Sequence, residues 1–222
     1  MNKSMVKVVG IDLAGVEKRP TGFCVLDEKL KAKTKILYSN EEIVKEVHTA
    51  NPTVISIDAP LSLPKGRCCL KNNCSCRKAG HLRECDRALL KLKIKFFPVT
   101  LGPMRKLTMR GITLRNLLTK EGFKVIESFP FSVRKILGFP DKGEGVEKLR
   151  KALIGYGIKG DPKRRNLTEH ELDAILSALV GKLFLEGKAI GIGDPSEGLI
   201  IIPNPEVYGY PYSIPHKEIL FR

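Results

Sequence analysis

Ahead of Asp58 the apolar positions come in short β-branched bursts separated by polar turns, and their spacing fixes an order of elements. Val6 to Leu13 (V-K-V-V-G-I-D-L) reads as a buried strand ending at an acid. A loop from Ala14 to Pro20 leads to a second strand, Thr21 to Leu26. A turn over Asp27 to Leu30 starts a third, which runs to about Tyr38. Three strands with such tight links form an antiparallel meander. Ser39 to Ala50 then predicts a helix: Ser39 is a cap, Glu42 stands three residues on, and Ile43, Val44 and Val47 share a face. Asn51-Pro52 stops it, and Thr53 to Ile57 is a further β-branched strand that runs straight into Asp58. A helical crossover after the meander sets this strand parallel to the first. Asp12 and Asp58 are thereby expected at matching ends of neighbouring strands.

The rest of the chain is less regular. Residues 59–98 are irregular, with a helix expected from about His81 to Leu92. Met104 to Gly122 predicts a helix with Leu107, Gly111, Leu114 and Leu118 on one face, followed by a strand over Phe123 to Glu127. Short helices are expected near Val133–Leu137 and Val146–Tyr156, and a basic loop over Lys159–Asn166. Thr168 to Glu186 carries the clearest helical stripe: Leu172, Ile175, Leu176, Leu179 and Leu183. Ala189–Ile192 and Leu199–Ile202 read as a hairpin, and the Pro- and Tyr-rich tail has no clear regular pattern. The expected organisation is one α/β domain over 1–202, including a Cys-rich basic insertion at 61–97, with a tail at 203–222.

Composition narrows the classes. No apolar run approaches the roughly 18 residues a membrane span needs, and Met1–Lys7 lacks the apolar core of a signal peptide. A cytoplasmic protein without a membrane partner is expected. The formal charge of +15 is concentrated: Lys65 to Lys124 holds 16 Lys/Arg against Glu84, Asp86 and Glu121, a net +13. Positive charge gathered in this way attracts a polyanion, and nucleic acid, DNA or RNA, is the expected partner. A solvated basic surface is the plainer alternative.

The acids give that partner a chemistry. A lone strand-terminal Asp commonly caps a turn. Two carboxylates about 4 Å apart, however, repel by roughly 4 kcal/mol at an effective dielectric near 20, so a fold that pairs them needs a cation or a proton. An all-oxygen site suits Mg²⁺ or Mn²⁺. In Thr168-Glu169-His170-Glu171, Thr168 and Glu171 form a capping box, which gives Glu171 a structural role. Asp173 and His170 lie one turn apart on nearly the same side, beside the apolar stripe. Asp173 could also simply favour the helix's positive end, and His170 could be a surface histidine.

The segments G-I-D-L-A-G (10–15), I-D-A-P-L (57–61), R-E-C-D-R (83–87), I-E-S-F-P (126–130) and H-E-L-D-A-I-L-S-A-L (170–179) resemble the domain of unknown function 429 family. The first, second and last are also similar to the Holliday-junction resolvase branch of the ribonuclease H superfamily. The resemblance implies a ribonuclease H-like mixed sheet, β-β-β-α-β-α-β-α in its core, with helices on both faces. It further implies a two-metal phosphodiester hydrolase with Asp12, Asp58 and Asp173 as Mg²⁺ or Mn²⁺ ligands and His170 as ligand or proton carrier. The fourth-strand acid is Asp rather than the resolvases' Glu, and no segment matches their dimer helix. Glu127 is a candidate outer ligand or a salt-bridge partner for Arg134 or another base. Arg83, Arg87 and Arg105 are candidates to hold phosphates. Two other readings stand beside the nuclease: a non-catalytic nucleic-acid binder of this fold, and an ATP-dependent phosphotransferase, which would need a duplicated domain and Gly-rich phosphate loops.

Five of the six cysteines, Cys68, Cys69, Cys74, Cys76 and Cys85, fall in one window, whereas Cys24 sits in an apolar strand. A structural zinc site with His81 as a further ligand, disulfides, and free thiols are the three readings; C-C and C-x-C are not the usual knuckle spacing.

Overall fold

The structure, a computed structural model, describes residues 6–214 together with 219 and 220. Strands β1 (Lys7–Asp12), β2 (Thr21–Asp27) and β3 (Lys31–Leu37) form the meander, and helix α1 (Asn40–Ala50) crosses to β4 (Val54–Asp58). Ser39 and Glu42 close the expected capping box on α1. Helices α2 (Glu84–Lys91) and α3 (Gly102–Lys120) precede β5 (Val125–Ser128). Then come α4 (Pro130–Leu137), α5 (Val146–Tyr156), β6 (Lys159–Gly160), α6 (Asp161–Arg164) and α7 (Glu169–Leu185). The β7 (Ala189–Asp194) and β8 (Gly198–Pro203) hairpin and β9 (Ile219–Leu220) complete one nine-stranded sheet, ordered β6-β3-β2-β1-β4-β5-β8-β7-β9. Its centre, β3-β2-β1-β4-β5, with β2 antiparallel to β1 and β3, and β1, β4 and β5 mutually parallel, is the ribonuclease H-like arrangement.

Strand alternation divides the core in two. Val9, Ile11, Phe23, Ile55 and Ile57 face α1 and α3, where Ile43, Val47, Leu114 and Leu118 cover them. Val8, Cys24, Leu26 and Val54 face α7, which supplies Leu172, Ile175, Leu176, Leu179 and Leu183. α7 lies unusually close to the sheet. A Cβ at Gly10 would collide with the backbone of Ala174 and Ala178, and one at Gly22 with the carbonyl of His170. Two glycines on neighbouring strands therefore set the depth at which α7, and everything it carries, meets β1 and β2. A third cluster joins α2 to β7 and β8.

Three features depart from the pattern reading. The stretch expected to be a basic loop contains the short β6 and α6, because Thr34 and Arg165 draw Asp161 against β3. The tail is partly regular: β9 pairs with β7, and Tyr208, Tyr210 and Ile214 pack on the third cluster. α2 starts at Glu84, since the Arg83 backbone N–H is taken by Asp86.

Candidate active site

Asp12 and Asp58 are register partners on the parallel strands β1 and β4. They stand at matching ends of adjacent strands, as expected from the chain order, and lie on the face that α7 covers. Burial raises the Asp12 carboxyl above its ordinary range, a hydrogen bond from His170 opposes this, and the charge of Asp173 adds to it. Asp58 is pushed up much further by burial and by Asp12 and Asp173, with Lys142 offsetting a part, and its carboxyl lies within hydrogen-bond reach of Asp12. Among the described residues no cationic side chain forms a salt bridge with Asp58.

Helix α7 brings the other two groups. Thr168 caps it with Glu171 in the expected box, and Glu171 also accepts from Thr34 and Arg165, which confirms its structural role. His170 Nδ1 lies 2.7 Å from Asp12 Oδ2, its pKa raised chiefly by that bond, and the ring is about half exposed. Asp173 is 1% exposed and holds two cations: Arg134 Nη2 at 2.6 Å from Oδ1, and Lys142 Nζ at 2.9 Å from Oδ2. Lys142 comes from a single 3-10 turn, 142–144, between α4 and α5. The three acids gather at one site, yet they do not close to a tight triad. Among the described residues only the cysteine cluster groups three or more metal-capable ligand atoms within 4.8 Å.

The other candidates separate. Glu127 and Arg83 form a buried double hydrogen bond, at 2.8 Å for both oxygens, with Asp86 on the same guanidinium and Leu61 N–H on the same carboxylate. Glu127 pairs in register with Ile57, so it faces away from Asp58. Arg83 is 2% exposed with its guanidinium taken up by Glu127 and Asp86, and Glu127 makes the salt bridge to a basic residue that stood as its second reading; the pair ties α2 to β5. Arg87 is exposed and bridges Glu84. Arg105 braces Thr100 O and Asn72 Oδ1. His81 bonds Thr100, and Cys85 is buried with β7 and β8, so neither belongs with the other four cysteines.

Three neighbours of the site escaped the sequence reading: Lys142, Ser128, and Arg134 in its pairing with Asp173, since Arg134 was expected only as one possible partner of Glu127. Lys142 carries no local cue. Arg134 carries one, because it lies between Val133 and Ile136 on the buried side of an amphipathic helix, and a buried guanidinium implies a buried acid. Ser128 is a third: as the register partner of Asp58 it sits beside it, and its buried Oγ has no hydrogen-bond partner.

A ribonuclease H-like sheet that delivers two aspartates from adjacent parallel strands and a third from the covering helix defines the class. The family described as Protein of unknown function (DUF429) matches over residues 10–198, and the chain belongs to it. Among solved structures it is similar to Thermus thermophilus RuvC in complex with Holliday junction substrate, at 14% identity and TM-score 0.48, covering 82% of this chain and 95% of that one. It is also similar to Thermus thermophilus RuvC alone, at 15% identity and TM-score 0.44, covering 82% and 96%. A comparison with curated proteins finds no match. Among the described residues no helix is long and apolar enough to cross a membrane.

Proposed function

We propose that the protein is a divalent-metal-dependent nuclease that hydrolyses phosphodiester bonds at the Asp12, Asp58 and Asp173 site. The register pairing of Asp12 with Asp58, under a helix that adds Asp173 and His170, carries this reading. The donors fit Mg²⁺ or Mn²⁺: they are carboxylate oxygens with one imidazole, and the unpartnered Ser128 hydroxyl beside Asp58 could serve a bound water. Asp12 and Asp58 would hold the ion. Asp173 joins them fully only when Lys142 releases Oδ2.

A bound ion supplies Lewis acidity toward a phosphoryl oxygen and a water of lowered pKa. The chain's own groups do the rest. Asp12 fixes the His170 ring through Nδ1, which leaves Nε2 as the nitrogen able to carry a proton to or from the reacting oxygens. Arg134 orients Asp173 from the buried side. Lys142, more than half exposed on its turn, can exchange its carboxylate for a phosphate oxygen as substrate arrives. The basic stretch from Lys65 to Lys124 supplies the long-range attraction for nucleic acid.

The test is cleavage of single-stranded, duplex, hybrid and branched substrates with and without Mn²⁺. Cutting that needs the metal and disappears in Asp12→Asn, with an unchanged circular dichroism spectrum, is expected. Tight binding by the wild type without any cutting would replace the nuclease by a non-catalytic binder.

A further inference from the structure

Immediately after Asp58 the chain enters a long excursion to α2 whose only regular piece is one 3-10 turn, Ser75–Ala79. Between Arg67 and Gly80 only Arg67 and Leu70 are buried. A segment this poor in apolar contacts does not order itself by burial. The Sγ atoms of Cys68, Cys69, Cys74 and Cys76 nevertheless all lie within 4.8 Å of one another, with Cys68–Cys74 at 3.7 Å and Cys69–Cys76 at 3.8 Å.

These separations discriminate between the possible linkages. A disulfide requires about 2.05 Å between sulfurs, and none is formed. Thiol–thiol hydrogen bonds are weak and give little reason for four sulfurs to converge. A tetrahedral ion with metal–sulfur bonds of about 2.3 Å has a sulfur–sulfur edge of about 3.8 Å. Both crossing pairs match that edge. We propose that Cys68, Cys69, Cys74 and Cys76 form a closed, four-thiolate structural zinc site that staples the basic loop following Asp58.

The surroundings suit it. Four thiolates around Zn²⁺ carry a net double negative charge, and Arg67, Lys71, Arg77 and Lys78 lie within the same loop. The Arg67 guanidinium is buried among the carbonyls of Cys69, Arg77 and Gly80, so it draws the two ends of the loop together. Arg105 reaches across from α3 to Asn72, and Glu197 accepts from the backbone of Lys65 and Glu84. The staple therefore fixes where Lys71, Arg77 and Lys78, all exposed, stand relative to the strand end that carries Asp58. With all four positions taken by sulfur, the ion has no open site for chemistry.

Metal analysis of protein purified without added zinc tests the assignment. One zinc per chain is expected, released stoichiometrically by a thiol-modifying mercurial. Cobalt substitution should give the intense visible bands of a tetrahedral thiolate site. Cys74→Ser/Cys76→Ser should lose the metal, whereas Cys85→Ser and His81→Ala should keep it. Trypsin should cut the metal-free loop at Lys71, Arg77 or Lys78 at least tenfold faster than the zinc form, while far-ultraviolet circular dichroism stays unchanged. An iron-loaded protein, a mass showing two disulfides, or no metal together with no cobalt bands would each overturn the site. Weakened nucleic-acid binding by the double variant is also expected, and this arm alone rests on the nuclease reading. Unweakened binding by the double variant, alongside one zinc per chain in the wild type, would count against that reading and leave the metal site standing.

Discussion

Lys142 holds Asp173 from the solvent side at 2.9 Å, while Arg134 holds it from the buried side at 2.6 Å. Of the three acids Asp173 is thus already neutralised by the protein, whereas Asp58 is left facing Asp12. The two-metal site implied by family resemblance therefore meets an asymmetric reality. Asp12 and Asp58 need a cation or a proton between them, and Asp173 has two side-chain cations of its own.

If the proposed ion draws on Asp173, Lys142 competes with it for the carboxylate oxygen that it now holds. Lys142→Ala should bind Mn²⁺ more tightly, by about fivefold if roughly 1 kcal/mol of screened repulsion is relieved. Titration by calorimetry or electron paramagnetic resonance reads this directly. An affinity unchanged or lower would mean that Lys142 belongs to the substrate-binding surface and does not contend with the ion.

Asp58→Asn should stabilise the protein while it destroys cleavage. With its folded-state pKa pushed far above the ordinary carboxylate value by burial and by its acid neighbours, folded Asp58 keeps its proton as pH rises when the unfolded chain has lost it. The folded state then binds more protons, so stability falls as pH rises from about 4 toward the raised value. The variant lacks this slope. Its melting temperature without added divalent ions should exceed that of the wild type at pH 7, by about 2–4 °C per kcal/mol relieved, and the gap should close near pH 4. Calorimetry across that range would expose the opposite trend if Asp58 were a stabilising residue.

How far the sequence revealed this site depends on whether each contact is local. The Asp12–Asp58 pairing was legible because strand order and strand ends are encoded in nearby residues: apolar bursts, a capped helix, and an acid after each. The Thr168–Glu171 box was legible for the same reason. Arg83 was not. Its neighbours Glu84, Asp86 and Arg87 make it look like one more charge of a solvated helix start, and only the long-range approach of α2 to β5 turns it into a buried one at 2% exposure. Lys142 was invisible because a lysine in a Gly-rich turn has no periodicity to betray its partner. The cysteines lay between these cases: their clustering showed, but excluding His81 and Cys85 required knowing that these two point to Thr100 and to β7.

The Arg83–Glu127 pair should matter to stability and not to phosphate. Arg83→Met leaves the Glu127 carboxylate buried with Leu61 N–H as its remaining donor. Breaking a buried pair from one side costs about 3–5 kcal/mol. Urea unfolding should show a loss of that size, while the salt dependence of nucleic-acid binding by the folded fraction stays unchanged. A reduced salt slope would instead return Arg83 to the binding surface.

Gly22 tests whether the helix–sheet distance assembles the site. It is the register partner of Asp12, and a methyl group there would strike the His170 carbonyl. Gly22→Ala must push the start of α7 outward, at a cost of about 1–3 kcal/mol. The His170–Asp12 bond, now 2.7 Å, should lengthen with it. Because that bond is the chief cause of the raised His170 pKa, the imidazole should titrate at lower pH in the variant, back toward an ordinary histidine. Proton NMR titration reads this directly, with His170→Asn used to assign the resonance among four histidines. Cleavage should fall in parallel. An unshifted titration in a folded Gly22→Ala protein would show that α7 absorbs the methyl by local bending, and that the two strand glycines do not set the position of Asp173 and His170.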